Sequence, residues 1–369
     1  MHKHYQSKMP EPRNRNLNAA LRAKKDEFYT QMDDISNELK HYREHFRGKV
    51  VLCNCDDPYE SNFFKYFALN FNSLGLKKLI ATCYDGSPVM GNELLLQFDT
   101  PESEPKKIAY KVEITEVDDF NGDGAVNLAD VAYLIQNNKN VLSQLQGNGD
   151  FRSPECIELL KQADIICTNP PFSLFREYVA QLMEYKKKFL IIGNQNNVTY
   201  KEIFPLIMQD KIWLGENCNK TLSFAMPDSY EYWDRIENGI KIGKVPSISW
   251  FTNLEHKKHQ DWMDLWKHYS SKEYKAYDNY AAIDIPSISD IPCDYDGVMG
   301  VPITFLCNYN PNQFEILGIT DRGNAYGLKT KEYTKSDTPK YSDLNRRGAI
   351  WVDGELKSTF AKLLIRRKK

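Results

Sequence analysis

The chain alternates short apolar runs with amphipathic helical segments, and this order restricts the fold more than any other feature of the sequence. Such strand, helix, strand units form a parallel sheet with helices on both faces. We therefore predict an α/β fold with a doubly wound, mostly parallel sheet, whose ligands bind beyond the carboxyl ends of the strands. The apolar runs are 50–55, 79–84, 163–168 and 189–193, and the helical segments between them are 61–72 and 174–185.

Three regions are predicted along the 369 residues. A helical segment, with apolar residues spaced three to four apart over 17–47, fills residues 1–48. Residues 49–210 form the sheet, interrupted at about 91–149 by an insertion with a hairpin and an acidic loop. Residues 211–369 supply the remaining sheet strands, in runs such as 248–251 and 301–306, and a smaller recognition region.

Charge is balanced overall and uneven locally. The chain carries 48 basic and 50 acidic side chains, which excludes a histone-like coat for nucleic acid but not a basic face. Residues 322–369 hold 13 basic and 5 acidic side chains, whereas residues 101–164 hold 6 and 12. No apolar run reaches the roughly 18 residues of a membrane span, and the first residues lack the apolar stretch of a signal peptide. We predict a soluble, cytoplasmic protein with no membrane partner.

The eight cysteines show no CxxC spacing, and several lie in apolar runs. This pattern favours buried free thiols over a zinc site or disulfide bonds. The seven histidines receive no catalytic role, and His256 and His259 are predicted to lie at the surface.

Residues 169–172, Asn-Pro-Pro-Phe, stand directly after a predicted strand and before a predicted helix. Two prolines fix the backbone and remove two amide donors, so the Asn169 side-chain oxygen and the Pro170 carbonyl remain as acceptors. The exocyclic amine of adenine supplies two donors, and the Phe172 ring offers a face for stacking. The pattern predicts a catalytic site for a flipped adenine at Asn169, Pro170, Pro171 and Phe172; a simple tight turn is the alternative.

The sequence resembles adenine-specific DNA methyltransferases of the EcoRI modification type over most of its length. The resemblance is carried by the motif at 169–172 and by segments similar to those of the family at 26–30, 149–153, 189–194 and 295–306. It implies a Rossmann-like methyltransferase sheet and methyl transfer from S-adenosyl-L-methionine to the N6 amine of adenine. This transfer needs positioning more than a strong base, because the sulfonium is already a good leaving group.

The resemblance also implies a cofactor site. Asp150 would accept from the cofactor's adenine amine and Phe151 would pack on that ring; a loop carboxylate is the alternative for Asp150. The usual glycine-rich turn after the first strand is missing, since residues 57–63 contain no glycine. The predicted cofactor residues are Phe28, Tyr29, Thr30, Asn54, Cys55, Asp56, Asp57, Asp85, Asp150, Phe151 and Asn169. Core packing is the alternative for Phe28 and Tyr29, and a turn aspartate for Asp85.

A second motif, residues 119–130, fits the twelve-position calcium loop, with oxygen side chains at positions 1, 3, 5, 9 and 12 and glycine at 6. It predicts a structural Ca²⁺, and an Asx-rich turn that caps a helix is the alternative. The predicted metal residues are Asp119, Asn121, Asp123, Ala125 and Asp130.

Basic and aromatic residues interleave over 326–347, as in segments that dock on nucleic acid. We predict that Lys329, Lys331, Arg346 and Arg347 bind double-stranded DNA; a solvated charged loop is the alternative. The resemblance further implies a restriction-modification context, with a cognate restriction endonuclease that shares the recognition sequence, or an orphan methylase as the alternative.

Two other functions stay open at this stage. Enzymes with the Asn-Pro-Pro-aromatic motif also methylate RNA bases or protein glutamine. The calcium motif alone would suit a calcium-dependent, dockerin-like interaction protein.

Overall fold

An eight-stranded sheet forms the centre of the protein. The computed structural model describes residues 29–55, 57, 61–83, 109–120, 122–137, 142–226, 233–321, 326 and 328–368. Numbered along the chain, the strands of this sheet are β2 (Val50–Cys53), β3 (Lys78–Cys83), β4 (Tyr110–Ile114), β5 (Leu142–Gln144), β6 (Ile165–Thr168), β7 (Lys188–Asn194), β8 (Trp213–Leu214) and β12 (Ile248–Thr252). Their order across the sheet is β5-β4-β3-β2-β6-β7-β12-β8.

The four middle strands are parallel and the edge strands are antiparallel. β2 pairs in parallel with both β3 and β6, and β6 pairs in parallel with β7. β12 pairs antiparallel with β7, so the run at 248–251 completes the sheet as predicted. Every residue of β2 and β6 is buried, as expected for strands covered on both faces. The predicted α/β fold with a parallel centre is confirmed.

Helices cover both faces of the sheet. They are α1 (Met32–Leu39), α2 (Arg43–Phe46), α3 (Asn62–Leu69), α4 (Phe71–Leu74), α5 (Leu128–Asn137), α6 (Pro154–Gln162), α7 (Phe175–Glu184), α8 (Phe204–Met208), α9 (Lys257–Gln260) and α10 (Tyr341–Arg346). Short 3-10 turns span Lys40–Tyr42, Phe172–Leu174, Gln195–Thr199, Ile288–Asp290 and Ile303–Asn308. Leu52 belongs to the core cluster with α6 and α7, whereas its neighbour Val51 belongs to the cluster with α1 and α3. This alternation divides the core into two layers.

A glycine sets the distance between α7 and the sheet. A Cβ placed at Gly193 in β7 would overlap the Phe175 ring, which begins α7. Phe175 is buried and packs edge-on against Phe251 of β12, with ring centroids 5.0 Å apart. The absence of a side chain at Gly193 therefore lets α7 begin directly against the strand next to β6.

The N-terminal segment is helical only in part. Tyr29–Thr30 form strand β1, which pairs antiparallel with β9 (Leu222–Met226) in a second sheet completed by β10 (Arg235–Glu237) and β11 (Ile240–Val245). The helix predicted over 17–47 is therefore wrong at these two residues, because pairing with a distant strand overrides the local pattern. Helical structure follows from Met32 to Phe46, and residues 17–28 lie outside the described residues.

The insertion contributes strands to the central sheet. β4 and β5 both lie within 91–149, pair antiparallel with each other, and join the sheet because β4 also pairs with β3. The acidic stretch between them leads into α5.

The C-terminal region has its own sheet. Its strands are β13 (Ile283–Asp284), β14 (Met299–Pro302), β15 (Phe314–Ile319) and β18 (Lys362–Arg367), and β16 (Ala349–Val352) and β17 (Glu355–Ser358) form a hairpin. The strand predicted at 301–306 is wrong beyond Pro302. There the chain turns into a 3-10 segment whose consecutive residues Phe305, Leu306 and Cys307 are all buried, which an alternating strand with one solvated face would not allow.

Two expectations about cysteine and histidine need correction. Cys218 and Cys307 form a disulfide bond with their Cα atoms 5.4 Å apart, and the other six cysteines are not disulfide-bonded. His256 and His259 are buried, not at the surface. His256 lies 2.8 Å from Glu216, and His259 contacts both Asp210 and Glu255 at 3.1 Å. These carboxylates compensate for burying the imidazoles, which the spacing of the histidines alone did not indicate.

Across the described residues, none of the helices has the length and apolar character that a membrane crossing requires.

Candidate active site

The chain reverses its winding direction between β2 and β6. The strand that follows β2 lies on one side of this pair, and the strand that follows β6 lies on the other. Val51 is opposite Ile165 and Leu52 is opposite Ile166, so both strands end at the same edge of the sheet. In open α/β sheets a crevice forms at such a point, outside the carboxyl ends of the strands. This edge is the candidate active site.

The Asn-Pro-Pro-Phe turn leaves the sheet at this edge. Asn169 follows the last residue of β6 and is half-buried, and Pro170 is buried. Pro171 and Phe172 are also half-buried, and the Pro171 carbonyl accepts the Leu174 amide at 3.0 Å as the 3-10 turn begins. The structure therefore brings the predicted catalytic residues together between a strand end and a helix, with the Phe172 ring partly open to solvent.

Asn54 lies at the end of the neighbouring strand and is held from two sides. Its backbone carbonyl accepts the Thr82 hydroxyl at 3.2 Å, and its side-chain Oδ1 accepts the hydroxyl of Tyr178. Asn54 is 4% exposed, and its buried Nδ2 has no hydrogen-bond partner among the described residues. A buried donor of this kind is costly unless a ligand or a water molecule accepts from it.

Tyr178 is a site residue that sequence reasoning missed. It is fully buried on α7, and its ring contacts Phe151 edge-on with centroids 5.0 Å apart. Phe151, Tyr178 and Asn54 therefore form a continuous chain of contacts from the Gly-Asp-Phe segment to the end of β2. The only sequence signal was helical: Tyr178 occupies the same face as Phe175, three residues earlier.

Thr30 reaches the same neighbourhood from the N-terminal strand. Its carbonyl accepts the Asn62 side-chain amide, at the first residue of α3, at 2.8 Å. Thr30 is buried, and its Oγ1 has no hydrogen-bond partner among the described residues. The structure thus places Thr30 beside the helix that follows β2, although Thr30 and Asn62 are 32 residues apart in sequence.

The carboxylate of Asp150 forms an ion pair with Arg152. Arg152 donates to both carboxylate oxygens, at 2.9 and 2.7 Å, and bonds Glu177 at 2.9 Å. These hydrogen bonds lower the pKa of Asp150, so the group remains a carboxylate. The Arg152 guanidinium also lies over the buried Phe151 ring, 5.2 Å from its centroid. A ligand amine at Asp150 would share the carboxylate with this arginine.

Asp57 is buried below the edge. Tyr110 of β4 donates its hydroxyl to Asp57 at 2.7 Å, and burial, together with the neighbouring Cys83 and Asp57, raises the pKa of Tyr110 far above its usual value. Burial likewise raises the pKa of the Cys83 thiol, at the end of β3, to about 12. Cys55 is half-buried beside Asn54. Phe28, Asp56 and Asp85, and the side chain of Tyr29, lie outside the described residues.

The predicted calcium loop uses its carboxylates on its own backbone. Asp119 accepts the amides of Gly122, Asp123 and Gly124 at 2.7 to 3.1 Å. Asp123 accepts the amide of Ala125 at 3.0 Å and the side-chain amide of Asn127 at 2.9 Å. These bonds stabilise the turn that leads into α5.

Asp130 completes a reciprocal cap at the start of that helix. It is fully buried and accepts the amides of Phe120 and Asn127 at 3.0 and 2.8 Å. The Asn127 side chain accepts the Ala129 amide at 2.7 Å, as in a capping box. These contacts are those of the alternative prediction, an Asx-rich turn that caps a helix. Asn121, another predicted metal residue, lies outside the described residues.

Three of the four predicted DNA-binding cations form ion pairs within the protein. Lys329 lies 2.6 Å from Glu332, Lys331 lies 2.9 Å from Asp278, and Arg347 contacts Asp321. Arg346 is exposed, and no carboxylate of the described residues forms an ion pair with it. The basic segment is thus less positive in the fold than its sequence indicates.

Comparison with known proteins gives relatives across the chain. The family model described as "Adenine-specific methyltransferase EcoRI" matches residues 16–368. The type II methyltransferase M.EcoRI of Escherichia coli is 49% identical over 312 residues, covering 82% of this chain and 89% of the relative. The type II methyltransferase M.MpnI of Mycoplasma pneumoniae is 37% identical over 332 residues, covering 87% and 91%. No solved structure matches this chain significantly.

Proposed function

Because the chain belongs to the EcoRI family of adenine-specific methyltransferases, we propose that the carboxyl edge of its central sheet binds S-adenosyl-L-methionine and a flipped adenine side by side. The chain is an enzyme, a site-specific DNA adenine methyltransferase of the type II class. Its relatives give no support to methylation of RNA bases or protein glutamine, or to a dockerin-like interaction role.

The observation that carries the assignment is the position of Asn169 at the winding reversal. Asn169 and the Pro170 carbonyl would accept the two hydrogens of the adenine N6 amine, which directs the nitrogen lone pair away from these acceptors. Phe172 would stack on the base, and its partly exposed ring suits a base that enters from solvent. Bound S-adenosyl-L-methionine supplies the methyl group on a sulfonium leaving group. The protein's part is alignment, so a neutral Asn169 suffices.

Two buried atoms fit the cofactor at the neighbouring strand end. The Asn54 Nδ2 donor and the Thr30 Oγ1 lack described partners, and a cofactor rich in hydroxyl, carboxylate and ring nitrogen atoms offers partners for both. Phe151 would flank its adenine, with Asp150 accepting from the ring amine beside Arg152. Tyr29, Cys55 and Asp57, together with Phe28, Asp56 and Asp85, remain predicted members of this site.

DNA would approach through the C-terminal region. Arg346 offers an exposed cation to a phosphate, and Lys329, Lys331 and Arg347 would have to exchange a carboxylate for a phosphate. We further propose work in the cytoplasm, where the DNA is accessible, and a cognate restriction endonuclease that reads the same site.

Calcium binding at residues 119–130 is kept as a separate proposal with a structural role. Three carboxylates close together favour a hard cation with oxygen ligands. Calcium would have to replace the backbone amides that Asp119 and Asp130 now accept, so chelation should affect thermal stability more than the rate of methyl transfer.

The decisive experiment replaces Asn169. Asn169→Ala should lower the rate of methyl transfer from radiolabelled cofactor to DNA by about a hundredfold or more, because acceptors that act in the transition state contribute about this much. Binding of S-adenosylhomocysteine, measured by calorimetry, should stay within a few-fold. Asn169→Asp is the matched control, since it keeps an acceptor and should retain more activity than Asn169→Ala. Turnover of Asn169→Ala close to that of the wild type would overturn the assignment.

A further inference from the structure

A cluster of three different side chains that can bind a metal lies in the C-terminal region. The proposed function gives these residues no role. His268, Cys293 and Asp294 place their ligand atoms within 4.8 Å of one another. His268 Nδ1 lies 3.0 Å from Asp294 Oδ2 and 3.7 Å from Cys293 Sγ. Imidazole, thiolate and carboxylate are the ligands of zinc.

The distances fit a single tetrahedral ion. Zinc lies about 2.3 Å from sulfur and about 2.0 Å from nitrogen or oxygen, so two ligands at the tetrahedral angle are about 3.6 Å apart for sulfur and nitrogen and about 3.3 Å apart for nitrogen and oxygen. The observed separations of 3.7 and 3.0 Å differ from these values by only a few tenths of an ångström. The third pair, Cys293 Sγ and the Asp294 carboxylate, lies within 4.8 Å, so side-chain rotations of up to about an ångström would bring all three atoms onto one ion.

Hydrogen bonds already hold the two segments that carry the ligands. The Cys293 amide donates to the Lys267 carbonyl at 2.7 Å, and residues 267 and 292 form a β-bridge. Asp294 uses Oδ1 to accept the Tyr269 amide at 2.7 Å, which leaves Oδ2 toward His268. Arg367 of β18 donates to the Cys293 carbonyl. Outer contacts of this kind orient metal ligands before the ion binds.

Charge and access also suit a divalent ion. A thiolate and a carboxylate balance the charge of Zn²⁺, and a sulfur ligand favours zinc over magnesium or calcium. The side chains of His268 and Asp294 are 77% and 46% exposed, so an ion can enter and water can complete the coordination. Cys293 is half-buried, in contrast to the buried thiols of Cys53, Cys83, Cys156 and Cys167. An ordinary surface ion pair between His268 and Asp294 would not require a cysteine beside it, whereas a zinc site uses the thiolate as a ligand.

We propose that His268, Cys293 and Asp294 bind one zinc ion, with water as the fourth ligand, and that this ion fastens residues 267–269 to residues 293–294. The site has three protein ligands, and it joins segments that lie 25 residues apart in sequence.

The test is a titration of the full chain, stripped of metal with a chelator and kept oxygen-free, with Co²⁺ and then Zn²⁺. Co²⁺ should bind and give thiolate-to-metal charge-transfer absorption with the visible bands of a tetrahedral ion, and Zn²⁺ should displace it. Cys293→Ser should abolish the charge-transfer band, and His268→Gln should weaken binding by about tenfold or more. The matched controls are His41→Gln, at another exposed histidine, and Cys156→Ala, at a buried thiol, and both should bind as the wild type does.

The thiolate-to-metal band distinguishes an ion bound at this site from ions bound at other histidines. His2 and His4 lie outside the described residues and contribute no sulfur, so ions bound there give no thiolate band. Circular dichroism of each variant checks that folding is retained, which the exposure of His268 favours. The proposal fails if the wild type gives no thiolate band, or if the band persists in Cys293→Ser, or if His268→Gln binds as tightly as His41→Gln.

Discussion

The carboxyl edge of the central sheet and the basic segment at 329–347 differ in whether their polar groups have partners within the protein. At the sheet edge, Asn54 Nδ2 is buried without a described partner, and so is Thr30 Oγ1 on the nearby strand β1. In the basic segment, Lys329, Lys331 and Arg347 are already paired with carboxylates of the same chain. Thr30 is held by strand pairing in β1 and Asn54 directly follows β2, whereas the long side chains of Lys329, Lys331 and Arg347 can reach carboxylates of the same chain.

This difference indicates two modes of binding. A polar atom fixed at a strand end is organised in advance, so a ligand gains its hydrogen bond without first breaking another. An exposed ion pair contributes only about 0–1 kcal/mol, so a phosphate can replace the carboxylate at small cost. We therefore expect single substitutions to have large effects at the sheet edge and small ones in the basic segment.

The largest effect is expected at Asn54. Asn54→Ala removes the donor that would meet the cofactor, and a buried hydrogen bond of about 1–3 kcal/mol corresponds to roughly tenfold to hundredfold weaker binding. Calorimetry with S-adenosylhomocysteine measures it. Asn72→Ala is the control, because that side chain donates instead to the Val117 carbonyl. Equal affinities of the two variants would show that Asn54 is not organised for the cofactor.

A smaller effect is expected at Tyr178. Tyr178→Phe keeps the ring against Phe151 but removes the hydroxyl that holds Asn54, so binding should weaken by about twofold to tenfold. The double variant with Asn54→Ala should bind no worse than Asn54→Ala alone, if the hydroxyl acts on the cofactor through Asn54. Tyr274→Phe, which loses a comparable bond of 2.8 Å to the Asp290 carbonyl, is the control. Additive losses in the double variant would contradict this role.

A third prediction concerns Asp150, where Arg152 would compete with the cofactor for the carboxylate. Asp150→Ala should weaken cofactor binding by about threefold, and Arg152→Ala should strengthen it by about twofold, since it releases the carboxylate. Because Arg152 lowers the pKa of Asp150, the carboxylate stays charged, and neither effect should titrate between about pH 5 and 8. The competition is refuted if Arg152→Ala binds the cofactor more weakly than the wild type.

Small effects are likewise expected in the basic segment. Arg346→Ala should weaken DNA binding by a few-fold at every sequence and reduce the salt slope by about 0.9, the value for one phosphate contact. Lys331→Ala should change affinity less, because Asp278 already neutralises that cation. Binding of labelled duplexes at several salt concentrations measures both. A larger loss in Lys331→Ala would reverse the comparison between the paired and the exposed cation.

The sequence sufficed for the sheet and the Asn-Pro-Pro-Phe turn because both depend on local patterns. Apolar runs specify buried strands, and two prolines between a strand and a helix fix their own backbone. The contact of Tyr178 with Asn54 joins residues 124 apart, and the pairing of β1 with β9 joins Thr30 to Phe224. No local pattern indicates either contact.

Charge was the least predictable property. Lys331 and Asp278 are 53 residues apart, and Arg347 and Asp321 are 26 residues apart. A count of basic residues gives the charge that a segment could present, whereas the fold decides how much of it is neutralised at short range. The same limit applies to Asp119 and Asp130, whose spacing suits a metal loop and whose oxygens meet backbone amides.

Helix α7 has one end at the Asn-Pro-Pro-Phe turn and carries Tyr178, the partner of Asn54, one turn further along. If the proposed sites are correct, this helix would link them, because it begins beside the turn that would hold the adenine and its Tyr178 hydroxyl donates to Asn54. A shift of the helix on adenine entry would then change the affinity of Asn54 for the cofactor, and by thermodynamic reciprocity the cofactor would change the enzyme's affinity for DNA by the same factor. Weakening that mechanical link at the Tyr178 hydroxyl should therefore make the two substrates bind more independently of each other.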